Sequence, residues 1–181
     1  MSRQLHANDE NIHDMVKKYI EGDPVIRSYG PIGSWDVSNV TQMYTLFKDT
    51  LFNEDISEWD VSNVVNMSLM FFNAHNFNKP LNKWKEKVRK VKQMVSMFEY
   101  AIHFNQPLDE WNMSNVVETT GMFKGAINFN QPLNNWKFNN LTYMVSMFRD
   151  ARSFNQPLND WKVDNVITMA GLFKGATQFN Q

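Results

Sequence analysis

The chain has no cysteine among its 181 residues. That excludes disulfides, a thiol nucleophile, thiolate metal sites and lipid attachment through cysteine, and it leaves the compartment unread from redox chemistry. An excess of one charge is also lacking. Lys and Arg number 18 against 19 Asp and Glu, for a net charge of −1, so no global field draws the chain to nucleic acid or a lipid surface. No long apolar run occurs, so no membrane span is expected. Residues 1–20 lack the apolar core of a signal peptide, which favours an intracellular or virion-associated location over the cell surface. Histidine is scarce. His6, His13, His75 and His103 are the only ones, and without a clustered carboxylate they make a poor metal site. No phosphate-binding glycine loop, nucleophile elbow or zinc-protease motif is present. The chain is therefore read as having no catalytic residues, no metal and no cofactor.

What the sequence does have is tryptophan at a fixed period. Trp35, Trp59, Trp84, Trp111, Trp136 and Trp161 are spaced 24, 25, 27, 25 and 25 residues apart. Such a period is the mark of a repeat architecture. With each Trp counted as position 0, apolar residues recur at +2, +5, +8 and +11. Position +12 is Phe47, Phe71, Phe123, Phe148 and Phe173, and +15 is small (Thr50, Ala74, Ala126, Ala151, Ala176). The third repeat fits after a two-residue insertion, as Val91, Met94, Met97, Phe98 and Ala101.

Positions +5, +8, +11, +12 and +15 share one face of a helix. Ser38, Ser62 and Ser114 stand where a helix N-cap would, and Trp(0) with +2 suggests a short inward-facing strand. Pro80, Pro107, Pro132 and Pro157 fix the turn that follows. Each repeat thus reads as strand, helix and turn. About eight apolar side chains per repeat, at roughly 1.5–3 kcal/mol each, do not offset about 1–2 kcal/mol per ordered residue, so repeats must stack and share a core.

The phrase W-D-V-S-N-V-T-x-M (Trp35–Met43), with F-N-Q-P-L-N-x-W (Phe129–Trp136), resembles the BspA-type bacterial surface protein repeat. That family is a leucine-rich-repeat relative found in mycoplasmas, other bacteria and large DNA viruses. The likeness covers residues 31–181. It implies an α/β leucine-rich-repeat-like right-handed solenoid of six strand–helix repeats of about 25 residues, with a parallel sheet on the concave face. It also implies protein binding, with no catalytic residues attached.

Ahead of the repeats, residues 1–8 read as a frayed tail. Asn8 or Asp9 is placed to cap a helix over about 10–21, with Ile12, Met15, Val16, Tyr19 and Ile20 on one face and Gly22-Asp23-Pro24 at its end. Residues 1–30 are thus a tail and capping helix, and 31–181 the repeats, in a single domain.

Three surfaces are candidates for function. The +1 column of the concave face reads Asp36, Asp60, Lys85, Asn112, Lys137 and Lys162, acidic to basic along the chain, with Asp160 beside Lys162 as a counter-charge. A basic patch holds Lys79, Lys83, Lys87, Arg89, Lys90 and Lys92 around the insertion; it lacks the interleaved aromatics of a single-strand binder, so nucleic acid is not the expected partner. The last repeat exposes Val166, Met169, Leu172 and Phe173 and suits self-association. Asn53, Asn78, Asn105, Asn130, Asn155 and Asn180 are read as a structural amide ladder. The expected function is a non-enzymatic scaffold for another protein. The alternative is a structural subunit of a virion or surface assembly, joined through its ends.

Overall fold

The structure is a computed structural model that describes residues 5–181. The first part of the expected frayed tail, residues 1–4, lies outside the described residues. The rest of that tail is ordered. Strand β1 (His6–Asn8) pairs in parallel with β2 (Asp36–Asn39), through His6 opposite Asp36 and Asn8 opposite Asn39.

Helix α1 (Ile12–Glu21) follows, ended by Gly22 at φ 86°, and a single turn, α2 (Pro24–Arg27), comes next. The buried face of α1 is Ile12, Met15, Val16 and Tyr19, as its spacing predicts. The cap chemistry differs from expectation. Asn11 is the N-cap residue and makes no side-chain cap bond. Asp9 instead clamps the first repeat, accepting from Thr41 N–H at 2.7 Å, Thr41 Oγ1 at 2.6 Å and Gln42 N–H at 2.9 Å.

Burial raises the Asp9 pKa, but the Thr41 hydroxyl and the two N–H groups outweigh it and hold the carboxyl below the usual range. The Ser38 hydroxyl and N–H, with His6, lower Asp36 in the same way. A depressed folded pKa contributes stability that is complete above the unfolded value of about 3.9 and is lost as pH falls through the folded value. Acid is therefore expected to loosen this end first. Amide exchange in α1 should accelerate below about pH 4 before exchange in the central repeats does. Simultaneous loss of protection along the whole chain would refute this.

The expected strand–helix solenoid is not what the repeats form. Most of the chain is turn and irregular backbone. Besides β1, β2, α1 and α2, regular structure among the described residues is limited to two 3-10 segments, Ile32–Ser34 before β2 and Asn82–Lys90 after it. Among the described residues the one sheet has two strands, β1 and β2. In place of a concave parallel sheet, the layers are joined by isolated parallel bridges, Gln42 to Asn66 to Gln93 to Glu118 to Tyr143 to Thr168, one residue per layer.

The backbone shows why no helix forms. Positions +10 and +14 are left-handed in every layer: Thr45 and Asp49, Leu69 and Asn73, Ser96 and Tyr100, Gly121 and Gly125, Ser146 and Asp150, Gly171 and Gly175. An α-helix of L-residues does not tolerate that. The chain instead closes linked β-turns, such as Leu46 N–H to Met43 O at 3.4 Å and Lys48 N–H to Thr45 O at 3.0 Å. Alternate N–H groups donate to the following layer: Met43 to Asn66 O, Thr45 to Ser68 O, Phe47 to Met70 O and Asp49 to Phe72 O, all at 2.9–3.0 Å. Turns closing every three residues bury side chains at the same spacing as a helix. The periodicity alone does not separate the two.

This distinction is measurable. A helix loses about 1 kcal/mol on receiving glycine, whereas a left-handed residue relieved by glycine gains about 1 kcal/mol. Ser146, at φ 54°, is expected to give a more stable protein as Ser146→Gly in denaturant titration. A destabilised variant would contradict the turn geometry.

Columns of like residues run through the layers. The Phe rings at +12 stack at 5.4–5.6 Å from Phe47 through Phe71, Phe98, Phe123 and Phe148 to Phe173. Each later Trp donates its indole N–H to a carbonyl of the layer before, as Trp136 does to Leu108 O at 2.7 Å. The asparagine ladder is present. Backbone N–H of Asn78, Asn105, Asn130, Asn155 and Asn180 each donates to the preceding Asn Oδ1 at 2.9–3.0 Å.

Candidate binding face

The +1 column splits into two kinds of residue. Its three acidic or amide side chains bind their own turns. Asp36 Oδ1 accepts from Ser38 N–H and Oγ, Asp60 Oδ1 from Ser62 and Asn112 Oδ1 from Ser114. The serines expected as helix caps serve these turns instead. A second asparagine column escaped the sequence reading. Asn63, Asn115, Asn140 and Asn165 each donate Nδ2 to a carbonyl of the layer before; the recurrent x-Asn-Val and Asn-Asn-Leu steps were the available signal.

Further along, Lys137 and Lys162 are exposed and make no ion pair among the described residues. The expected counter-charge, Asp160, accepts from Asn134 Nδ2 at 2.7 Å instead. Lys85 pairs with Glu110 at 2.6 Å.

The insertion in the third layer shapes this half. Asn82–Lys90 coils as 3-10 turns around buried Trp84 and Val88, with a break at Lys85 (φ 3°, ψ −98°). The bulge leaves a surface hollow of about 420 Å³ against the next two layers. Trp111 and Met113 form its floor, and Glu86, Glu110 and Lys137 stand at its rim. Glu86 accepts from Asn112 Nδ2 at 2.8 Å, which ties the bulge to the fourth layer.

Half of the basic patch is engaged within the chain. Lys83 bonds Glu58, Lys87 reaches Trp59 O at 3.2 Å and Lys90 reaches Asn63 Oδ1 at 2.7 Å. Lys79, Arg89 and Lys92 make no ion pair among the described residues. In the last layer Val166, Leu172 and Phe173 are half-buried and Met169 is 44% exposed, with Ile167 at 73%. His103 Nδ1 meets the His75 carbonyl at 2.8 Å rather than its ring, and no group of metal-ligating side chains occurs among the described residues. No helix among them is long and apolar enough to cross a membrane.

No curated protein and no solved structure matches the chain. A family model described as a mycoplasma protein of unknown function matches residues 10–117 and again residues 85–181, taking in the N-terminal helix and every tryptophan layer. The chain belongs to this family, DUF285.

Proposed function

We propose that the protein is a non-enzymatic scaffold that binds another protein on the face carrying the +1 column, over its third to fifth layers. The observation that carries this reading is the hollow of about 420 Å³ beside the inserted bulge, with an uncommitted Lys137 at its rim. A buried aromatic floor ringed by charged groups matches the anatomy of protein interfaces, where an apolar centre sits inside a polar rim. The likeness of the W-D-V-S-N-V and F-N-Q-P-L phrases to BspA-type surface repeats supports it from another direction.

The experiment is site-specific photo-crosslinking from position 137 in cells that express the protein, with position 174 as control. A partner that crosslinks at 137 only, and is lost with Glu110→Lys at the hollow's rim while thermal stability is unchanged, supports the reading. Equal crosslinking at both positions refutes it.

Joining through the ends is the second reading, and the exposed Ile167 and Met169 favour it. Head-to-tail joining has to displace helix α1 from the first layer, where His13 Nε2 meets the Tyr44 carbonyl at 2.8 Å.

A further inference from the structure

The hollow beside the bulge has walls of opposite charge. It lies over the fourth layer, with Glu86 of the third layer on one side and Lys137 of the fifth on the other. Lys137 is the one cation that lines it, and it makes no ion pair among the described residues. Three carboxylates face it. Glu110 is met by the Lys85 ammonium at 2.6 Å. Glu86 and Asp109 are held by amides alone. Asn112 Nδ2 donates to Glu86 at 2.8 Å, and Asn135 donates to Asp109 through its backbone N–H at 3.0 Å and through its Nδ2. A neutral amide orients a carboxylate and leaves its charge in place. Neither carboxylate has an ion-pair partner among the described residues. The hollow therefore keeps two uncompensated negative charges towards its third- and fourth-layer side and one positive charge towards its fifth-layer side.

We infer that the partner protein docks here through an extended segment with a basic and an acidic side chain two residues apart, the basic one between Glu86 and Asp109 and the acidic one on Lys137. This rests on the docking face proposed above and names what enters it. Charges across an interface set partner choice and register when each meets its opposite. Glu86 and Lys137 belong to layers two apart, about 10 Å at the backbone. Side chains at i and i+2 of an extended segment share a face about 7 Å apart, and long side chains splay across the rest. Arginine suits the negative side better than lysine, because its planar fork donates to two carboxylates at once. A segment with two basic side chains sets one of them against Lys137. A segment with two acidic ones sets one against Glu86 and Asp109. Each mismatch loses a complementary pair and adds a repulsion. An uncharged segment covers Glu86 and Asp109 without supplying a cation, which leaves desolvated charge unpaired.

The test is NMR titration of the isotope-labelled full chain with end-capped peptides centred on Arg-Ser-Glu, Arg-Ser-Arg or Glu-Ser-Glu, read at the backbone N–H groups of Asn112 and Lys137. Arg-Ser-Glu is expected to bind about fivefold more tightly than the other two, and the preference should fade in about 1 M salt. Lys137→Glu, at an exposed position, should make Arg-Ser-Arg the tightest of the three. Glu86→Gln, which keeps an oxygen for Asn112, should weaken Arg-Ser-Glu and leave Glu-Ser-Glu no weaker. Peptides that perturb neither N–H group overturn the inference. So do three equal affinities, or an order that Lys137→Glu leaves unchanged. Crosslinking from position 137 reads docking whatever charges the partner carries, so the docking face can stand while this account of its occupant fails.

Discussion

Phe123→Ala is expected to cost about 3–5 kcal/mol and to divide the unfolding transition in two. The ring is fully buried. It stacks on Phe98 and Phe148 at 5.6 Å, on Phe129 at 4.1 Å and against Trp136 at 6.3 Å. Removal leaves a cavity shared by three layers, and the surrounding rings are held by their own stacks and collapse into it poorly. In a stacked architecture stability is close to a sum of layers and nearest-neighbour interfaces. Weakening one central interface lets the layers beyond it melt separately from those anchored by α1. Guanidinium titration followed by tryptophan emission reads both effects. Phe123→Leu, which keeps most of the volume, should cost less than about 1.5 kcal/mol. A single unshifted transition for Phe123→Ala would mean that the Phe column does not hold adjacent layers together.

Gly33→Ala is expected to destabilise by about 2–3 kcal/mol, towards the upper end of overpacking costs. A Cβ at this position would lie 2.3 Å from the main-chain oxygen of Asp55. That oxygen belongs to backbone and cannot rotate aside, unlike the Tyr100 ring next to Gly125. The displaced segment is the one that seats the first layer on the second, since Trp59 donates its indole N–H to Ile32 O at 2.9 Å. Loss of that bond would leave a buried donor unpaired, which adds to the cost. The readout is the thermal midpoint together with amide exchange of Trp59 Nε1–H. An unchanged midpoint would show that the first two layers are not in the close contact described.

The layers themselves were legible in the sequence. The Trp column, the Phe column, the methionines and the asparagine ladder occupy the interior and turn positions that their recurrence implied. Helix α1 was legible too, because its apolar face and its terminating Gly22 are local signals. The backbone of the repeat was not. The run Met67, Met70, Phe71, Ala74 has helical spacing, and linked turns bury the same residues at the same intervals. The discriminating signal was the pair of glycines in Gly121-Met122-Phe123-Lys124-Gly125 and again in Gly171-Leu172-Phe173-Lys174-Gly175. Glycine spaced four apart inside an apolar run marks left-handed backbone. Other layers hide it, because Leu69, Asn73, Ser96 and Tyr100 occupy the same conformation. The proposed binding face was legible only in part. Lys137 could be picked out by its column. The hollow beside it depends on how the two-residue insertion folds.

The hydrogen bonds that repeat from each layer to the next have a consequence for how such a gene changes. Any layer's leading surface fits any other's trailing surface, so copies of the phrase are interchangeable parts. Unequal crossing-over in phase adds or removes a whole unit and leaves every junction of a kind already present. Excision of residues 136–160 would hand Trp161 the Leu108 carbonyl that Trp136 now uses. A cut of half that length would set donors where acceptors are needed. Length in this lineage is therefore free to drift in whole units of the tryptophan period, while the reading frame of the layer is held fixed.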